Sequence, residues 1–163
     1  MQKSMNIEIL CVGKIKEAYL KDAIAEYSKR LSKYCTLKIT ETEDEKTVDK
    51  QSAAEDELVK KREGERLLKH LKEQAFVVVL DIEGRMMDSV GFSKLLADTA
   101  LRSVSHIQFV IGGSLGLCPE IINKADLKLS FSKMTFPHQL MRVILLEQVY
   151  RAYRIMHHEP YHK

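Results

Sequence analysis

The sequence has few of the features that mark secreted, membrane-spanning or disulfide-stabilised proteins. Its three cysteines are odd in number and form no CxxC pair. That argues against a disulfide framework or a cysteine zinc site and fits a reducing cytoplasm. No apolar run approaches the roughly 20 residues that cross a bilayer. The apolar stretch at residues 7–12 is short and contains a glutamate, so no signal peptide is predicted. We therefore expect a cytoplasmic protein without membrane association.

Several motifs of hydrolytic and nucleotide-binding enzymes are absent as well. The sequence contains no GxSxG, no HExxH and no close set of paired carboxylates for glycoside chemistry. The glycines at residues 112–116 have the spacing GGxxG, not GxGxxG, and no Lys-Ser or Lys-Thr pair follows as in a P-loop. These absences favour group transfer with a bound cofactor over simple hydrolysis.

The composition is that of one globular domain. The chain has 163 residues, of which 45% are hydrophobic and 30% charged, which excludes a disordered chain. No internal repeat or proline-rich linker divides it, so we expect a single domain over residues 1–163. Because Met5 can serve as a start, residues 1–4 are interpreted as an N-terminal extension.

Strand and helix patterns alternate along the chain. Strands are predicted at residues 7–12, 37–40, 76–80, 106–111 and 127–131. Helices are predicted at residues 18–31, 53–71, 92–101, from Pro119, and at 138–157. Residues 41–50 and 81–91 are predicted loops, with Asp88 or Ser89 capping the next helix. The charged second helix is expected to bury Leu58, Leu67, Leu68 and Leu71. This alternation predicts an α/β fold: a mostly parallel sheet with helices on both faces.

The last helix carries apolar residues around most of its circumference, whereas a surface helix shows a narrower stripe. Its own sheet and some second surface must therefore cover it. Two interpretations stay open here, a partner subunit and a helix wholly internal to the chain.

Three loops follow predicted strands at the sheet edge where α/β proteins bind ligands. They are residues 81–84, the glycine loop 111–117 (IGGSLGL) and residues 131–138 (FSKMTFPH). The third loop offers hydroxyls, a lysine, aromatic faces and a methionine, which suit an adenine or a sulfonium-bearing amino acid. An ordinary helix connection capped by Ser132 or Thr135 is equally compatible with this pattern.

Positive charge is concentrated at the C-terminal end. Residues 128–163 contain six Lys and Arg against two Glu, a net charge of +4, whereas the remaining 127 residues sum to −1. This distribution predicts an anionic partner. Arg142, Arg151 and Arg154 are candidates to meet phosphates, and Tyr153 and Tyr161 to stack on bases. Because chain ends rarely hold metal ligands rigidly, the C-terminal histidines do not predict a metal site.

Three segments together are similar to one known family. CVGK at residues 11–14, FVIGGSLGL at 109–117 and LSFSKMTFPHQLMRVILLEQVYRAYRI at 129–155 resemble the SPOUT-class methyltransferases, specifically the small RlmH-type enzymes acting on 23S ribosomal RNA. The ending PYHK also looks like the end of that family. The resemblance covers nearly the whole chain from Met5.

The resemblance implies a C-terminal trefoil knot, a homodimer packed through it, and S-adenosylmethionine as cofactor. The substrate it implies is a pseudouridine of 23S ribosomal RNA, methylated at N3 on the assembled ribosome. Positions matching the family's cofactor site are Leu80, Gly112, Phe131, Ser132, Lys133, Met134, Thr135 and Phe136. Positions matching its functional polar residues are Arg151, Tyr161 and His162, so residues 157–163 form a functional tail.

Roles for these residues follow from the chemistry of an imide nitrogen, which must lose its proton before it attacks a methyl group. Arg151 is expected to stabilise charge on the carbonyl oxygens of the base. His162 is the expected proton acceptor, His138 the second choice, and Tyr161 is expected to stack on or orient the base. Two rival classes are an NAD- or ATP-binding oxidoreductase or kinase-like domain, and a non-catalytic ribosome-binding or assembly factor.

Overall fold

A five-stranded parallel sheet forms the centre of the computed structural model, which describes residues 4–163. The strands are β1 (Asn6–Val12), β2 (Thr36–Thr42), β3 (Phe76–Met86), β4 (His106–Ile111) and β5 (Leu127–Ser130). The helices are α1 (Ala18–Leu31), α2 (Ala53–Leu68), α3 (Ser89–Leu101), α4 (Pro119–Asn123) and α5 (His138–Met156). The strand order is β2-β1-β4-β3-β5, and every neighbouring pair is parallel. The predicted α/β class with a parallel sheet is confirmed.

Helices cover both faces of the sheet, as predicted. On one face, side chains from α1, α3 and α5 pack against alternate residues of β1, β3 and β4, around the fully buried Phe109. On the other face, Leu67 of α2 and Ile121 of α4 pack against Val79 and Val110. Since both faces of the central strands are buried, these strands are mainly apolar. The buried Glu8 of β1 and Gln108 of β4 are exceptions, and the Gln108 amide donates a hydrogen bond to the Glu8 carboxylate at 2.9 Å.

Strand β3 is longer than its apolar run, so the prediction of a loop over residues 81–91 is wrong for the first six of them. Residues 81–84 leave the sheet as a bulge, and the chain then pairs with β5 again through Arg85–Leu129 and Met86–Ser130. The remaining boundaries differ by one to three residues: β1 begins at Asn6, β2 extends to Thr36–Thr42, α2 ends at Leu68, α3 begins at Ser89, β5 ends at Ser130 and α5 ends at Met156. Asp88 caps α3 as predicted, because its side chain accepts a hydrogen bond from the Gly91 amide.

The buried face of α2 differs from the predicted one. Leu58 is 46% exposed, which contradicts its predicted inward position, while Leu67 is buried as predicted and Leu68 and Leu71 are partly buried. The inner face instead contains Val59, Glu63 and Gly64. A Cβ on Gly64 would lie 2.2 Å from Cys118 Sγ, so glycine lets α2 approach the segment that precedes α4. All three cysteines are buried, as a packing role predicts.

Helix α5 is covered only in part by its own chain. Leu145, Leu146 and Val149 are fully buried against the sheet, whereas Leu140 remains 37% exposed. The helix is therefore not wholly internal to this chain. None of the helices in residues 4–163 is both long and apolar enough to cross a membrane. Most of the predicted N-terminal extension, residues 1–3, lies outside the described residues, and the trefoil knot stays a prediction.

Candidate active site

The three predicted loops meet at one edge of the sheet. Because β4 lies beside β3, and β3 beside β5, their carboxyl ends are adjacent. Between them lies a cavity of about 830 Å³, within the range typical of small-molecule sites. Seven of the eight residues matched to a cofactor site line it: Leu80, Gly112, Phe131, Ser132, Met134, Thr135 and Phe136. The eighth, Lys133, is exposed and does not line the cavity.

The glycine loop forms a tight turn on one wall. The Gly116 amide donates a hydrogen bond to the Gly113 carbonyl at 3.1 Å. A Cβ on Gly112 would lie 2.9 Å from the Gly116 carbonyl carbon, so a side chain at residue 112 would force the turn apart. The wall that faces the cavity is thus made largely of backbone, which can approach a ligand closely.

The segment between β5 and α5 forms the opposite wall. The Ser132 hydroxyl accepts a hydrogen bond from the Met134 amide at 3.0 Å, and the Ser130 hydroxyl donates to the Ser132 carbonyl at 3.1 Å. Helix α5 is preceded by Pro137 and has no side-chain cap, so the alternative in which Ser132 or Thr135 caps the helix is wrong. Met134 is 73% exposed, which leaves this wall open to a ligand or a partner surface.

Four lining residues were not singled out from the sequence: Ile122, Leu129, Ser130 and Met141. They belong to the elements that flank the loops, where the three apolar residues indicate core packing and Ser130 is one small polar residue at a strand end. Only the shared edge of the sheet, which joins β5 to β3, brings them to the cavity. Asp81 and Ile82 of the β3 bulge also line it, at the site of the first predicted loop.

A buried arginine fixes the start of α5 beside the cavity. Arg142 is 1% exposed, and its guanidinium donates to Glu41 Oε2 at 2.6 Å and to the carbonyls of Val12 and Gly13 at 3.0 and 2.7 Å. Arg142 therefore stabilises the fold and does not face an anionic partner, contrary to the prediction. One turn earlier, His138 lines the cavity, and burial together with the positive charge of Arg142 lowers its pKa.

The three residues matched to catalytic positions contact one another at the other end of α5. Arg151 donates to Glu147 Oε1 at 2.6 Å through Nη2 and at 3.1 Å through Nε. Its guanidinium carbon lies 4.6 Å from the centre of the Tyr161 ring, and Nη1 lies 3.1 Å from Nδ1 of His162. The Tyr161 hydroxyl also donates to Glu147, at 3.1 Å. We call Glu147, Arg151, Tyr161 and His162 the tail cluster.

Electrostatics fixes protonation within the tail cluster. Burial, with the negative Glu147 adding to it, raises the pKa of Tyr161 to about 12, so its phenol keeps the proton at neutral pH. Because a guanidinium only donates, Nδ1 of His162 must accept the hydrogen bond from Arg151. The hydrogen bonds that Arg151 donates to Glu147 raise the pKa of its guanidinium above the usual value.

The tail cluster does not reach the cavity of its own chain. Arg151 follows the cavity residue Met141 by ten positions, which corresponds to about 15 Å along the helix.

Tyr153 is buried and stacks on Tyr34 with ring centroids 5.4 Å apart, so the prediction that it stacks on bases is wrong. Across residues 4–163, no group of three His, Cys, Asp or Glu side chains is arranged to hold a metal ion.

The sequence is similar to one family over almost its entire length. The family described as "Predicted SPOUT methyltransferase" matches residues 5–162. A Clostridium novyi protein named "Ribosomal RNA large subunit methyltransferase H" is 58% identical over 159 residues, which cover 98% of this chain and 100% of that protein. A Bifidobacterium animalis subsp. lactis protein of the same name is also 58% identical, with the same coverage.

Solved structures share the fold at low sequence identity. A probable methylase family protein from Haemophilus influenzae superposes with a TM-score of 0.53 at 14% identity, covering 100% of this chain and 72% of that one. A putative methyltransferase from Legionella pneumophila, solved in complex with the bound cofactor SAM, superposes with a TM-score of 0.50 at 12% identity, covering 91% and 66%. At sequence identities this low, the similarity shows a shared fold only.

Proposed function

The chain belongs to the SPOUT methyltransferase family, and from that premise we propose that it methylates ribosomal RNA of the large subunit with S-adenosylmethionine as donor. Relatives that carry the name "Ribosomal RNA large subunit methyltransferase H" match 98% of the chain, which supports this substrate class. The finer assignment that we propose is N3 of a pseudouridine in 23S ribosomal RNA, on the assembled ribosome.

The observation that carries the proposal is the fit between the cavity and this donor. An adenosine needs apolar walls and backbone groups that can form hydrogen bonds, which Leu80, Phe131 and the glycine turn around Gly112 supply. A sulfonium-bearing amino acid carries positive charge, and the acidic residue Asp81 lines the same cavity. When bound, the donor supplies an activated methyl group for displacement by a nucleophile.

The protein's part in this reaction is to position the base and manage its proton. In the tail cluster, Arg151 is the group that stabilises negative charge on the carbonyl oxygens of the base as N3 loses its proton. Nδ1 of His162 already accepts a hydrogen bond from Arg151. When Arg151 turns to the base, Nδ1 becomes available to accept that proton. Tyr161 keeps its own proton and orients the base.

We propose that a homodimer brings the two halves of the site together. Ile82, Met86, Val90 and Met134 are between 44% and 73% exposed, and they belong to neighbouring segments at the β5 edge of the sheet. A second copy packed over this edge with its α5 antiparallel to this α5 would bury them. The same packing would place the partner's tail cluster beside this cavity, across the ~15 Å that separate the two within one chain.

Methyl transfer is tested with tritiated S-adenosylmethionine and ribosomes from a strain that lacks the enzyme. We expect label in 23S ribosomal RNA, and Arg151→Ala should lose turnover while retaining donor binding. Donor binding and label both absent from the wild-type reaction would overturn the proposed function. Ribosome binding without any label would instead support the non-catalytic assembly factor.

The composite site is tested with heterodimers of two inactive variants. Gly112→Val should distort the cavity, and Arg151→Ala disables the tail cluster. If each tail completes the partner's cavity, a heterodimer purified through two different tags contains one site with both defects and one intact site. It should have about half of wild-type activity per dimer, whereas both homodimers are inactive. A completely inactive heterodimer of normal mass would place the tail in its own chain's site.

A further inference from the structure

Asp81 and His138 are the two ionisable side chains among the residues that line the cavity. Burial lowers the pKa of His138, and the positive charge of Arg142 lowers it further, whereas Asp44 opposes this shift. The imidazole is therefore neutral at pH 7. Within the described part of the chain, Asp81 then supplies the only formal charge on the cavity wall.

The backbone of the β3 bulge holds this carboxylate in place. Oδ1 of Asp81 accepts a hydrogen bond from the Glu83 amide at 3.0 Å, which closes a local turn. Asp81 is half-buried, and none of the ion pairs formed within residues 4–163 includes it. Asp81 thus lines the cavity without an ion-pair partner among these residues. Glu83, two residues later, is exposed and does not line the cavity.

We propose that Asp81 makes the cavity select the positively charged methyl donor over its neutral product. This inference rests on the proposed function. During transfer the bond between sulfur and the methyl carbon breaks, its electron pair stays on sulfur, and a new bond forms from the nitrogen that has lost its proton. Donor and product share the adenosine and the amino acid, and they differ in charge only at sulfur. A fixed carboxylate therefore attracts the donor more strongly than the product.

This selectivity acts on loading and release of the cofactor and not on the chemical step. Because the positive charge on sulfur disappears along the reaction, the carboxylate stabilises the bound donor more than the transition state. Asp81 is accordingly a specificity-determining residue. Its removal should raise KM for the donor while leaving the single-turnover rate at saturating donor unchanged or higher.

The test compares the affinities of wild type, Asp81→Asn and Glu83→Gln for S-adenosylmethionine and S-adenosylhomocysteine by calorimetry. Asparagine keeps the Oδ1 acceptor of the turn, so Asp81→Asn removes charge without removing that hydrogen bond. We expect it to weaken donor binding about fivefold and to change product binding less than about twofold, as for one partly screened charge pair. Sinefungin, which has an amine in place of the sulfonium, should behave as the donor does. Glu83→Gln is the matched control and should alter neither affinity.

Equal weakening of donor and product would mean that Asp81 acts on their common ammonium group, and it would overturn the inference. So would unchanged affinities in Asp81→Asn, or an equal effect of Glu83→Gln. A wild-type protein that binds neither molecule would overturn the proposed function and this inference with it. Wild-type binding with a donor-to-product ratio that Asp81→Asn leaves unaltered would overturn this inference alone.

Discussion

Replacing the buried Arg142 by methionine should destabilise the fold by about 3 kcal/mol. Methionine fills similar volume with an apolar chain, so the substitution removes charge and hydrogen bonds while leaving little cavity. The partners left behind are the Glu41 carboxylate and the carbonyls of Val12 and Gly13. They lie at the ends of β1 and β2 beside the start of α5, so the loss also loosens the attachment of α5 to the sheet edge.

The magnitude follows from how well each partner can recover water. Removing one member of a buried ion pair costs about 3–5 kcal/mol when the other charge stays buried. The Glu41 side chain is 32% exposed and can regain part of its hydration, which places the expected value at the lower end of that range. A chain of this size loses about 2–4 °C per kcal/mol, so the melting temperature should fall by about 6–12 °C.

Urea denaturation followed by circular dichroism, at one fixed protein concentration, measures this loss. Lys60→Met is the control, because Lys60 pairs within α2 with the largely exposed Glu57 and such pairs contribute about 0.5 kcal/mol. A free energy of unfolding for Arg142→Met within 1 kcal/mol of wild type would refute the reasoning that this ion pair anchors α5.

Three further predictions concern packing, proton binding and turnover. Gly64→Ala should destabilise the protein by about 1–3 kcal/mol in urea denaturation, although alanine favours helices, because its Cβ would lie 2.2 Å from Cys118 Sγ. Burial raises the pKa of Glu63, so the folded state binds this proton more tightly than the unfolded state does. The free energy of unfolding therefore falls as the pH rises above the usual glutamate range, and Glu63→Gln should flatten that part of its pH dependence. Arg151→Lys should lower kcat at least tenfold with unchanged donor affinity, because lysine lacks the planar fork that contacts Glu147.

Each of these has its own check. Adding Cys118→Ala to Gly64→Ala should recover part of the lost stability, and no recovery would place the cause elsewhere. A Glu63→Gln profile parallel to wild type as the pH rises above the usual glutamate range would contradict the sign given for that carboxyl. Wild-type turnover in Arg151→Lys would mean that charge alone, without the fork geometry, serves the reaction.

The strands and helices could be predicted because each carries its own local signal. The mainly apolar strands β1 and β4 are buried on both faces, and Asp88 and Pro119 mark helix starts. The second half of β3 has no such signal. Its residues 81–86 mix charged residues and a glycine with two exposed apolar side chains, and they join the sheet only because β5, more than 40 residues later, pairs with them again. Pairing between distant segments is not encoded in local periodicity.

Burial of charged residues was the least predictable property. The sequence places Arg142 in a basic segment, which predicts an exposed side chain. In the structure it is buried, because its guanidinium donates hydrogen bonds to Glu41 and to two carbonyls at the end of β1. Leu58 reads as core, yet Glu63 occupies the inner face of α2. The carboxylate of Glu63 lies against the glycine turn, 3.2 Å from where a Cβ of Gly113 would stand. In each case the partner that decides burial comes from a different element.

The same reasoning explains why one chain contains two half-sites. Helix α5 places His138 and Met141 at the cavity and the tail cluster at its opposite end, and a helix keeps that separation fixed. The tail after Met156 is held back against α5 by Glu147 and Arg154, which bond Tyr161 and the Pro160 carbonyl. It therefore cannot reach its own cavity without breaking those contacts. Two antiparallel copies would need no such rearrangement, because the opposite ends of their α5 helices already lie side by side, and this makes the heterodimer the decisive comparison.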